Sequence, residues 1–309
     1  MRLFWSCGDL YHRSFKVARL PKSLRHLTNR TVVLTAVAML AFAANSLLCR
    51  LALGRGLIDA ASFASARMIS GAVTLSLIML MRGRVNRPPA NWRSITSLFG
   101  YMVLFSFAYL SLSAGTGALV LFGAVQLTMF SFALSEGERF TWLSWAGLAA
   151  AIIGLIYLVS PGVTAPDPLG AILMAGAGIA WGCYSLLGRK AADPLAANAG
   201  NFLYSVPLVL IVNLFFFHDI RVSSHGLILA VASGAVASGC GYAIWYAALS
   251  GLTSIRAATV QLSVPAIAAF GGVALISEAV TLRLLFASAL TLGGVAIVLA
   301  QRGDKASQS

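Results

Sequence analysis

The sequence predicts an all-α membrane fold: ten transmembrane helices, built as two inverted five-helix repeats, with both termini in the cytoplasm. Three observations carry this. Hydrophobic residues make up 59% of the 309 and charged residues only 10%, against about 25% charged in a soluble domain. With a mean hydropathy of +0.86, such a chain needs lipid as its solvent. The apolar residues also fall into ten runs of spanning length, and the chain resembles itself at a separation near 140 residues.

A helix needs about 20 mostly apolar residues to cross the hydrocarbon. In chain order the candidate spans are 31–51, 61–81, 95–114, 117–136 and 142–160. A polar stretch from Pro161 to Pro168 then intervenes, and 169–188, 197–217, 226–249, 257–276 and 283–300 follow. Each run is twice the length of a barrel strand, and none alternates in a sustained way, so strands are excluded. Short connections predict antiparallel, closely packed neighbours in sequence. The domain organisation is therefore a basic tail (1–30), a first repeat (31–160), a second repeat (169–300) and a C-terminal tail (301–309). The tail 1–30 is either a surface-lying segment or a product of start-codon choice, and the first span serves as an uncleaved insertion signal.

The net charge of +13 invites a nucleic-acid reading, but the positions of the charges oppose it. Seven of the 22 basic residues lie in the first thirty, and most others flank apolar runs. With the N-terminus inside, 17 Lys and Arg face the cytoplasm, including Arg82, Arg84, Arg87, Arg93, Arg139, Arg189, Lys190 and Arg256. Four (Arg50, Arg55, Arg221 and Arg283) face outward, and Arg67 stays within a span. That asymmetry is the positive-inside pattern of a membrane protein. The partners implied are the bilayer and a small solute, with no nucleic acid. Cys7, Cys49, Cys183 and Cys240 lack metal-ligand spacing, so no metal or cofactor is expected.

The repeat shows in three matches in the same order. Ala41 to Arg50 (AFAANSLLCR) matches Ala180 to Arg189 (AWGCYSLLGR). Tyr109 to Ser113 matches Tyr246 to Ser250, and Glu138 to Thr141 matches Glu278 to Thr281, each of these last leading into a span with Gly154 and Gly294 in step. Five spans per copy is odd, so the second copy enters the membrane from the opposite side. Inverted repeats give two near-equivalent packings, one open to each face, with the solute site at their interface near mid-membrane.

With these residues in view, the chain resembles the drug/metabolite transporter superfamily, in its ten-helix, EamA-type branch. The resemblance runs from about 31 to 300. It rests on Asn45 to Arg50, Phe63 to Arg67 (FASAR), the Glu138/Thr141 and Glu278/Thr281 junctions, and Ala180-Trp181-Gly182. The run Gly115 to Met129 is similar to a bacterial subgroup that includes YddG-type aromatic amino-acid exporters. The resemblance implies a multi-pass protein of a bacterial inner membrane that exports small metabolites, amino acids foremost. The alternative is drug or cation efflux, or uptake, by the same fold.

Polar groups inside spans are costly and mark candidate sites. Arg67 either holds a substrate carboxylate, or snorkels to the outer interface, or caps helix-end carbonyls; the resemblance implies a fixed structural role for it. Asn45 and Tyr184 occupy equivalent mid-span positions, and Trp181 lies one turn from Tyr184 on the same face. These three line a midplane pocket, or else Asn45 bonds between helices and the rings pack. Gln126 and Gln261, counterparts in the fourth and ninth spans, bind a zwitterion or act as interhelical glue. Asn201 aligns with Arg67, and Tyr101 and Tyr242 are further pocket candidates. Trp92, Trp142 and Trp145 read as interfacial belt residues. Pro207 and Pro265 are candidate hinges. No Asp, Glu or His lies in the middle of a span, which disfavours an intramembrane enzyme and strong proton coupling. Facilitated or exchange transport fits better.

Overall fold

A computed structural model describes residues 29–83, 91–188, 191–252 and 254–308. The tail 1–28 lies outside them, as do Arg84, Arg87, Arg189 and Lys190. Among the described residues the chain is all-helical apart from one isolated β-bridge, and ten hydrophobic passes follow one another. They are α1 (Asn29–Gly54), α2 (Ala60–Met81), α3 (Trp92–Ala108), α4 (Ala114–Ser135), α5 (Trp142–Val159), α6 (Pro168–Gly188) and α7 (Pro194–Phe215). Next come α8 (Ser224–Leu249), α9 (Ser254–Gln261 and Ser263–Ile276, interrupted at Leu262) and α10 (Leu282–Gln308). Nine passes hold at least 18 residues with spanning hydropathy. The tenth, α3, has 17, within the workable range for a span. This is an integral multi-pass membrane protein.

Local chemistry sets the helix starts. Asp59, Asn91, Ser113, Thr141, Asp193 and Ser223 are N-caps whose side chains accept a backbone N–H from the first turn, each worth about 1 kcal/mol. The cap at Ser113 explains why α3 stops at Ala108 rather than running to 114. Residues 109–113 form tight turns, with Leu110 N–H on the Phe107 carbonyl and Ser111 N–H on that of Ala108, both at 3.3 Å.

Packing corrects the expectation that sequence neighbours pack closely. The extensive contacts join the halves instead: α5 with α10, α2 with α7, α4 with α9, α3 and α4 with α6, α1 with α8 and α9, and α2 with α8, α3 with α7. A helix in lipid gains little from burying apolar surface, so partners are chosen by close approach and polar contact. Small residues provide that approach. A Cβ on Gly234 (α8) would lie 2.1 Å from the Arg67 carbonyl oxygen (α2), and one on Gly294 (α10) would lie 2.3 Å from that of Gly147 (α5).

Alternate connections gather at one end. Ile58 bridges Val222, Ser111 donates to Asp167 at 3.0 Å, and Arg283 donates to the Ser160 carbonyl at 2.7 Å. At the opposite end, Gly251 abuts Thr31 and Thr141 donates to Gln301 at 3.2 Å. The described chain begins and ends there.

Candidate functional site

Between the halves lies a cavity of about 760 Å³ that reaches the end where the chain begins and ends. Its mouth carries exposed Glu136 and Glu138 and the helix-starting Pro194; its floor is Trp181, Tyr184, Tyr242 and Gln261. A narrower pocket of about 20 Å³ continues past Trp181, Tyr242 and Gln261 to Asn45, Tyr101 and Phe105. The interior wall is aromatic. Trp181 is its hub, with ring centroids 4.8 Å from Tyr101, 5.5 Å from Tyr184 and 5.3 Å from Tyr242, the last stacked at 28°.

Two polar chains run from this wall into the interior behind it. In the first, Ser233 donates to Asn45 Oδ1 at 2.6 Å, Asn45 Nδ2 donates to the Tyr101 hydroxyl at 3.3 Å, and Arg67 Nη2 donates to the same oxygen at 3.0 Å. Arg67 is 0% exposed. Its guanidinium carbon lies 4.7 Å from the Phe105 ring centroid and 5.3 Å from that of Tyr101. The side chain therefore neither snorkels nor caps a helix end, which corrects that expectation: the rings and phenol of α3 hold it in the interior. In the second chain the Tyr184 hydroxyl donates to Asn198 Oδ1 and accepts from Asn201 Nδ2 at 3.3 Å.

Of the predicted site residues, Asn45, Tyr101, Gln126, Trp181, Tyr184, Tyr242 and Gln261 line one or both pockets. Arg67 and Asn201 line neither; each stands one hydrogen bond behind, gripping a lining tyrosine. Gln126 is 9% exposed and its Nε2 has no partner among the described residues. Pro207 sits inside α7. Pro265 follows the α9 interruption by three residues, and its missing N–H leaves the Gln261 carbonyl without an i+4 donor. Asn198, Ser233 and the cavity-lining Trp245 and Tyr246 complete the site. Asn198 carries the same signal as Asn201, an amide in an apolar span one turn away. For Ser233 there was no signal beyond a run of small residues. That run, Ser233–Cys240, is a π-helix, a form common at functional sites.

The end of the molecule away from the mouth is tied together by one ion pair. Glu278 accepts Arg50 Nε at 2.9 Å and the Ala114 N–H at 2.8 Å. Arg50 Nη1 adds bonds of 3.3 Å to the Tyr109 and Leu110 carbonyls. The pair thus joins α1, the α3–α4 turn and the α9–α10 connection.

The EamA-like transporter family model matches residues 29–160 and again 168–300. The chain belongs to the EamA-like transporter family. This transporter is 48% identical over 280 residues to an uncharacterised protein of Pseudomonas aeruginosa, covering 90% of this chain and 98% of that one. It is 27% identical over 144 residues to YedA of Escherichia coli, an uncharacterised inner membrane transporter, covering 44% and 46% of the two chains. A solved crystal structure shares its fold at a TM-score of 0.64 and 20% identity, over 88% of this transporter and 98% of that chain.

Proposed function

We propose that this transporter is an alternating-access carrier of a bacterial inner membrane that exports small amphipathic metabolites, with aromatic or neutral amino acids the leading class. The observation that carries the reading is the aromatic cavity between the halves, open toward one end, with the Arg50–Glu278 pair tying the other. Its volume of about 760 Å³ lies within the range of small-molecule sites. The faces of Trp181 and Tyr242 suit a flat or apolar side chain, and the free Gln126 Nε2 offers a hydrogen bond.

Two inverted repeats are supported by the double family match and by the pairing of contacts. Exchanging each helix for the one five places on turns α3–α6 into α8–α1, α4–α6 into α9–α1, and α2–α8 into α7–α3, all of them present. Basic residues near the mouth end, Arg82, Arg93, Arg139 and Arg256, support a cytoplasmic position for that end. The cavity then faces inward, ready to load for export. Rocking of the halves, with bending at Pro207 and Pro265, would expose the same pocket outward.

Proteoliposomes loaded with unlabelled phenylalanine or leucine should accumulate the labelled solute by counterflow, with no ion gradient imposed. Absence of exchange for both aromatic and aliphatic neutral amino acids would defeat the substrate reading.

A further inference from the structure

Behind the deep end of the cavity stands a charge that no acidic side chain among the described residues pairs with. Arginine keeps its proton in proteins, yet among the described residues the polar and ring partners of the Arg67 guanidinium are a phenol oxygen and two aromatic rings. Its Nε and Nη1 have no hydrogen-bond partner among the described residues. All nine acidic residues of the sequence lie in connections, at helix ends or in the tail, none in the middle of a span. Insertion scales put such a buried cation at about 2.5–3.5 kcal/mol, and cation–π contact recovers about 0.5–2. A plain packing role would be served by an uncharged side chain without this cost.

The Tyr101 hydroxyl directs that charge at the pocket. It accepts from both Arg67 and Asn45, so its acceptor capacity is filled and its own proton is left to donate. No acceptor takes that proton among the described residues. Tyr184, the other floor phenol, instead spends its proton on Asn198. The pocket therefore ends in an O–H donor polarised by a guanidinium, which calls for an anionic oxygen. Its wider part offers ring faces at Trp181 and Tyr242.

We propose that Arg67, acting through the Tyr101 hydroxyl, makes this transporter selective for solutes that bear a carboxylate and excludes amines that lack one. The carboxylate points to Tyr101 and the apolar body lies over Trp181 and Tyr242. Arg67 is a positioning residue, and Tyr101 is the group in contact with solute. The inference rests on the carrier reading above and narrows it, removing cationic drugs from the substrate class.

The test is ligand-induced thermal stabilisation and counterflow competition on the purified full chain, using solutes that differ only in charge. One set is phenylalanine, 3-phenylpropionate and 2-phenylethylamine; the other is leucine, 4-methylpentanoate and isoamylamine. A unit charge about 8 Å away at an effective dielectric near 20 changes affinity roughly 30-fold. It favours the carboxylate and disfavours the ammonium by that factor each, so 3-phenylpropionate and 4-methylpentanoate should outbind the matching amines by up to about 1,000-fold. Arg67→Gln should collapse the ratio toward one, Tyr101→Phe, which removes the donor but leaves the guanidinium, should lower it several-fold, and Arg67→Lys should retain much of it. A merely structural role would lower all affinities together and leave the ratio intact. Should Arg67→Gln not fold, Tyr101→Phe decides alone. Amines binding as well as carboxylates would overturn the inference and leave the carrier reading standing; so would a ratio unmoved by Tyr101→Phe. If no member of either set binds, both fall.

Discussion

Replacing Glu278 by Gln should open the end of the transporter away from the mouth. The substitution keeps shape and one acceptor oxygen but removes the charge that holds Arg50 Nε at 2.9 Å and the Ala114 N–H at 2.8 Å. Hydrogen bonds to charged groups contribute about 1.5–3 kcal/mol each. The two side chains are 23% and 15% exposed, so water screens part of this, and a net loss of about 1–2 kcal/mol is expected. That corresponds to a 5- to 30-fold shift toward the state open at this end. The assay is labelling of Ser46→Cys, deep in the narrow pocket, in a cysteine-free background by an impermeant maleimide added from the Glu278 side. The labelling rate should rise by that factor. An unchanged rate in a folded Glu278→Gln protein would refute the latch.

Three further outcomes follow from packing and backbone geometry. Gly234→Ala places a methyl 2.1 Å from the Arg67 carbonyl oxygen, so the α2–α8 crossing must part; a loss of about 1–3 kcal/mol should appear as a lower melting temperature in detergent. Ser277 ends α9 with φ 60°, a left-handed turn that suits glycine; Ser277→Gly should stabilise by about 0.5–1 kcal/mol in the same assay. Pro265→Ala restores the N–H that the Gln261 carbonyl lacks and straightens α9. Counterflow should then slow several-fold while affinity measured by thermal shift holds; an unaltered rate would remove Pro265 as a hinge.

Much of the site was legible because of the cost of polarity in lipid. Any amide, phenol or guanidinium inside an apolar run needs a reason, and that rule picked out Asn45, Arg67, Gln126, Tyr184, Asn201 and Gln261 from spacing and type alone. It could not sort pocket-lining groups from those behind them. Arg67 and Tyr101 lie on different helices 34 residues apart in sequence, and only the α2–α3 approach shows that one grips the other. The Arg50–Glu278 pair, 228 residues apart, was hidden for the same reason. Arg50 read as an outward-facing charge and Glu278 as part of a repeated junction.

Hydropathy and length determined the number of passes, because a span must satisfy its backbone within one helix and hide its apolar side chains in lipid, both properties of a local stretch of chain. The partner of each helix was decided only by the tertiary structure. In lipid every apolar face is equally content against neighbour or acyl chain, so association depends on close approach at small residues and on polar contacts across helices. The interleaving of the halves, the cavity between them and the buried cation at its end all arise from that pairing.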